Sequence, residues 1–183
     1  MRADAKRNRD KIVEVAREVF KERGMDAPLD EIAKRAGVGP GTLYRHFPTR
    51  EELHDAVMQA WVERVNEYAD KALAHEGGPR GQLLAWFTEY VALLTAHKGA
   101  AARITCSLGM PDSPIRTKCE IYAAANARVL DTLAEQGALR ADVENLQVAR
   151  LVGGVASVAD QAELGGEQIE PMLAVIADGI LAD

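Results

Sequence analysis

Apolar residues recur along this chain at intervals of three and four, and no stretch alternates apolar with polar between turn signals. That pattern predicts an all-α protein of about nine helices. The first is expected over residues 7–23, where Ile12, Val13, Ala16, Val19 and Phe20 form one stripe and Gly24 closes the end. A second follows over 29–36 behind Pro28, with Asp30 and Glu31 in the first turn, where the helix dipole favours acids. Gly37, Val38 and Gly39 make a tight turn, and Pro40 suits the first position of a short third helix ending near Phe47. Thr49 is the expected N-cap of a longer fourth helix, with Leu53, Val57, Trp61, Val65 and Tyr68 along one face and an end before Gly77. Five more are expected near 80–96, 100–108, 114–136, 142–165 and 168–181, separated by Gly, Pro and Asp-rich breaks.

The second and third helices carry the first functional signal. At ~100° per residue, Leu43 and Phe47 fall on one side of the third helix and must face a core. Arg45 lies opposite, Gly41 and Thr42 point outward, and Tyr44 and His46 flank the edges. So short a helix does not persist alone; Ile32, Ala33 and Val38 are expected to hold it against its predecessors. Two short helices joined by a three-residue turn form a helix-turn-helix candidate.

Charge changes the picture only when divided by region. The net charge of −6 argues against nucleic acid, yet residues 1–50 hold 12 basic against 8 acidic side chains, a net +4, while the remainder carries −10. Lys6, Arg7 and Arg9 crowd the expected start of the first helix, where they oppose its dipole; a phosphate partner or a frayed, solvated end would each account for them. No run approaches the ~18 apolar residues of a membrane span. Two cysteines, Cys106 and Cys119, are too few to staple a secreted scaffold, and a reducing cytoplasm is the expected compartment. An enzyme is not expected: His46, His54, His75 and His97 are scattered, and there is no metal-ligand cluster, phosphate loop or nucleophile elbow, so neither metal nor cofactor is called for.

The run from Leu29 to Leu53, LDEIAKRAGVGPGTLYRHFPTREEL, closely resembles the DNA-binding motif of the tetracycline-repressor (TetR) family. The likeness covers the first third of the chain, and beyond it the helices match the family only in number and arrangement. Two positions depart from the family pattern: Gly39 stands where Ser or Thr often caps the third helix, and Pro28 where Thr often caps the second. The resemblance implies a DNA-binding domain over residues 1–60 and a ligand-binding and dimerisation domain over 61–183. It places Thr42, Tyr44 and His46 among residues contacting DNA, Arg45 at a variable contact position, and Arg50 where a cation holds a phosphate. Backbone N–H groups around Gly39, Pro40 and Gly41 add anion contacts. Arg45 could read a guanine edge or hold a phosphate; Tyr44 could equally be a core-edge aromatic and His46 a helix-end hydrogen-bonding group.

The helix over 142–165 is apolar almost all round, and the last helix cannot cover it alone. The resemblance implies that these two form a four-helix bundle with their mates in a homodimer, with Gly153, Gly154 and Ala156 allowing a close crossing, and that the dimer binds a palindromic double-stranded operator. It also implies a cavity for a small apolar or amphipathic effector. Trp61, Trp86, Tyr90, Arg103, Cys106, Met110, Tyr122 and Asn126 are the candidates to line it, with plain core packing as the competing reading of each. Pro111 and Pro114 bracket a loop at its expected mouth, from which a ligand could shift the fourth helix and separate the recognition helices. The function so implied is a transcriptional repressor released by its effector; the alternative is a ligand-independent regulator with the same DNA-binding head.

Overall fold

The computed structural model describes residues 2–24, 26–96, 98–113 and 115–182. Among them run nine helices: α1 Arg2–Arg23, α2 Leu29–Ala36, α3 Pro40–His46, α4 Arg50–Leu73, α5 Gly78–Thr95, α6 Ala100–Ser107, α7 Arg116–Glu135, α8 Asn145–Ala162 and α9 Gly166–Ile180. The described residues include no strand, only an isolated antiparallel bridge between Leu139 and Leu181. The chain divides into two compact units, Met1–Arg64 and Val65–Asp183.

In the first unit the stripe of α1 is buried in full, and Ile12, Val13, Ala16, Val19 and Phe20 pack with Leu29, Ile32, Ala33 and Ala36 of α2, Leu43 and Phe47, and Leu53 of α4. Helix α1 begins five residues earlier than its apolar stripe suggests, because polar residues can extend a helix that its neighbours already hold. The extension corrects the reading of its cations. Asp4 occupies the first turn and pairs with Arg7, so an acid stands at the positive end of the dipole and Lys6, Arg7 and Arg9 lie further along. Thr49 caps α4 as expected, its Oγ1 accepting the Glu52 N–H at 3.2 Å.

The second unit is built around α8, which packs on α5, α6, α7 and α9. Leu83, Trp86, Phe87, Tyr90 and Leu94 of α5 and Cys119, Tyr122, Asn126, Val129 and Leu133 of α7 are all buried. Helix α8 is shorter than the apolar run implies. Asp142 is held instead by the guanidinium of Arg140, at 3.1 and 2.7 Å, which pulls its carboxyl below the usual carboxylate range, and Glu163 ends the helix in the left-handed conformation at φ 53°. Helix α9 starts at Gly166 and takes Pro171 into its interior, at the cost of the backbone bond to Glu167. Pro114, expected at the start of α7, lies outside the described residues.

One expectation about α8 is corrected. Gly153 and Ala156, which the family resemblance implies admit a close crossing by a second chain, face inward: Ala156 is fully buried, and a Cβ on Gly153 would stand 2.3 Å from Thr105 Oγ1 of α6. The close crossing that Gly153 permits is therefore α6 on α8 within one chain. Gly154 has no neighbour within 4 Å of its Cβ position.

Candidate nucleic-acid interface

Local backbone chemistry sets the geometry of the α2–α3 turn. Gly37 ends α2 at φ 67°, its N–H donating to Lys34 and the Val38 N–H to Ala33 at 3.0 Å, a Schellman arrangement that satisfies the last carbonyls of the helix. Replacing Gly37 with Ala puts a side chain in a left-handed conformation, so urea unfolding of the first unit should register a loss of about 1 kcal/mol. Gly39 then enters α3 in extended conformation with no side-chain cap, and Pro40 takes the first turn, where its missing N–H is not needed.

Helix α3 presents two unlike sides. Leu43 is fully buried and Phe47 2% exposed, which fixes the rotation of the helix against the core. On the other side Gly41 and Arg45 are exposed, Tyr44 is 46% exposed, and Thr42 and His46 are half-buried. Tyr44 therefore stands about half in solvent. His46 sits 6.3 Å from the Phe47 ring, centroid to centroid. Neither Gly39 nor Gly41 has an atom within 4 Å of its Cβ position, so the backbone of this turn is open to close approach.

Three features of the site were not legible in the sequence. Arg50 Nη1 donates to the Ala27 carbonyl at 2.6 Å, tying the start of α4 to the segment before α2. Arg9 stacks its guanidinium 5.3 Å from the Phe47 centroid, covering the end of α3. Lys11 reaches to 3.4 Å from the Cβ position of Gly37, beside the negative end of the α2 dipole. Each joins residues 23 or more positions apart, and helical periodicity carries no information about such pairings.

The eight residues considered for an effector separate. Trp86, Tyr90, Tyr122 and Asn126 come together in the interior of the second unit. The Trp86 indole N–H donates to Asn126 Oδ1 at 3.0 Å and the Asn126 amide donates to the Asn145 carbonyl at 3.1 Å, so the amide that interrupts the apolar face of α7 is satisfied within the protein. Tyr90 packs against Trp86 at 5.5 Å and edge-on to Tyr122 at 5.7 Å. Arg103, Cys106 and Met110 are exposed, and Trp61 is half-buried on α4 in the first unit. A surface cleft of about 240 Å³ lies elsewhere, between Thr95, Lys98, Asp160, Glu163, Leu164 and Ile169; none of the eight lines it. Both cysteines are free thiols. Among the described residues no group of three or more His, Cys, Asp and Glu could hold a metal, and no helix is long and apolar enough to cross a membrane.

Residues 12–57 match the family profile described as bacterial regulatory proteins, tetR family, and residues 78–182 match that of the transcriptional regulator SbtR-like C-terminal domain. The chain belongs to the TetR family. TetR structures extend the likeness along the whole chain: a TetR transcriptional regulator from Streptomyces coelicolor is 34% identical, with 94% of this chain and 98% of that one covered at a TM-score of 0.61. A TetR transcription regulatory protein from Mycobacterium vanbaalenii is 32% identical over 99% of both chains, at a TM-score of 0.62. An HTH-type transcriptional regulator of Staphylococcus aureus (strain USA300) is 47% identical over 60 residues, and the match spans about a third of that relative's length and of this chain's. As a TetR-family protein the chain is a DNA-binding transcriptional regulator rather than an enzyme, with its helix-turn-helix in α2 and α3.

Proposed function

We propose that this TetR-family regulator is a cytoplasmic homodimeric repressor that leaves a palindromic operator when a small effector binds its second unit. The observation that carries the DNA-reading part is the two-sided α3: Leu43 and Phe47 buried beneath it, Thr42, Tyr44, Arg45 and His46 at its outer side and edges. Phosphate contacts from Thr42, Tyr44, His46 and the open turn around Gly39, Pro40 and Gly41 supply affinity and register, and Arg45 reads a base edge in the major groove. Arg50 has two roles in this reading, a phosphate contact and the tether to Ala27. The dimer forms through α8 and α9, on which Leu151, Val158 and Val175 are exposed. Effector binding shifts α4 and parts the two recognition helices.

A second reading, a regulator that needs no effector, is favoured by the mutual packing of Trp86, Tyr90, Tyr122 and Asn126, which fills the interior with the protein's own side chains. Selection of bound genomic fragments by the purified protein tests the main reading. A palindrome with half-sites one helical turn or a multiple apart is the expected outcome. Recovery of unrelated sequences with no shared half-site would remove it. On the selected site, Arg45→Ala should relax preference at one base pair by about 1–3 kcal/mol, measured by competition with single-base variants, and leave the other positions unchanged. Arg50→Ala should weaken all sequences alike and lower the salt slope by roughly one unit, with a loss of thermal stability from the freed Ala27 carbonyl.

A further inference from the structure

The polar heads of the aromatic cluster in the second unit are almost all spent within the protein. Tyr122 donates its hydroxyl to the Leu93 carbonyl at 3.2 Å, Trp86 its N–H to Asn126, Asn126 its amide to Asn145, and Cys119 its thiol to the Ile104 carbonyl at 3.7 Å. Tyr90 is the one left over. Its side chain is fully buried, and its hydroxyl has no hydrogen-bond partner among the described residues. A phenylalanine would keep both ring contacts without the cost of a buried unpaired hydroxyl, so the oxygen at this position has a stability cost that ring packing does not explain. Burial pushes the phenol far above its ordinary range, which keeps it protonated and able to donate.

The surroundings restrict what it can donate to. No charged residue is buried among those described, and both ends of the Asn126 amide are engaged. An anion or cation brought into this interior would find no buried countercharge, and its desolvation would go uncompensated. We infer that the effector of this regulator is an uncharged, mainly apolar molecule carrying an acceptor oxygen, such as a ketone, and that it takes its one directed hydrogen bond from the Tyr90 hydroxyl. This rests on the effector-controlled reading above. The free protein holds Tyr90 unpaired, and the bound molecule relieves it.

The full chain, free of DNA, is titrated with ring compounds that differ only in their polar group. Acetophenone and 2-acetylnaphthalene present a carbonyl, α-methylstyrene and 2-isopropenylnaphthalene are their hydrocarbon counterparts, and benzoate, 2-naphthoate and phenyltrimethylammonium carry charge. At least one ketone should bind about tenfold more tightly than its hydrocarbon counterpart and than the charged probes. Tyr90→Phe should erase the preference for ketone over hydrocarbon, and it should raise the melting temperature of the free protein by about 2–4 °C. The assignment is overturned by a lower melting temperature in Tyr90→Phe, which would mean that a buried water already pairs the hydroxyl. It is equally overturned by a ketone preference that survives the substitution, by tighter binding of any charged probe, or by no binding of either ketone. Operator release is measured separately. Ketone binding that leaves the operator complex intact removes the effector-release reading and leaves the Tyr90 assignment standing; release by a molecule equally potent on Tyr90→Phe does the reverse.

Discussion

Exchanging Gly153 for valine should lower the stability of the second unit by about 3 kcal/mol, although glycine is a poor helix former and α8 would gain propensity from the change. The position is set by the helix that crosses it. A Cβ there would meet Thr105 Oγ1 at 2.3 Å, Cγ2 at 2.9 Å and Cβ at 3.1 Å, three atoms of one short β-branched side chain that has little room to turn away. Valine adds two methyl groups to that conflict, and α6 must move off α8 to admit them. The same contact makes the effect separable: in a Thr105→Ala background two of the three conflicting atoms are gone, so chemical unfolding should show Gly153→Val costing roughly half as much, a coupling of more than about 1 kcal/mol between the two sites. Equal costs in both backgrounds would mean that α6 and α8 do not meet at this residue.

That contact also shows where sequence reading stopped. The helices were legible because burial of one face imposes its period locally, and the two-sided α3 followed because Leu43 and Phe47 are four residues apart on one helix. The charge division is legible for the same reason, being a sum over neighbouring positions. The partner of Gly153 lies 48 residues away, and the partners of Asn126 are 40 and 19 away; such pairs depend on how helices are arranged, and a single sequence holds no record of it. The family resemblance implies that Gly153 and Gly154 both permit close approach. It could not say that one faces α6 and the other nothing within its own chain. The start of α1 was missed by a related argument, since polar residues beyond the apolar stripe take their helical state from what they adjoin rather than from their own pattern. In the site, periodicity found the outer residues of α3 and missed the Arg9, Lys11 and Arg50 contacts behind them, which join different elements.

Glutamate at both Leu151 and Val158 should leave the chain folded and monomeric, with operator affinity lower by about two orders of magnitude or more, because one short recognition helix then binds without the second. Leu151 is 55% and Val158 48% exposed in the single chain, so their replacement removes little that holds the chain itself together, and far-UV circular dichroism should be unchanged. With Gly154 they occupy positions i, i+3 and i+7 of α8, one face along two turns, and the open Cβ position of Gly154 between them lets a second helix come close to the backbone. If α8 packs on a second copy across a twofold axis, as proposed, each substitution removes an apolar contact and brings carboxylates to both sides of the interface, where like charges repel. Sedimentation velocity distinguishes the outcomes. A double variant that remains dimeric at micromolar concentration excludes this face of α8 from the interface. A monomer that keeps its operator affinity would show that α3 reads DNA without a twofold partner, and the palindrome would then have no physical basis.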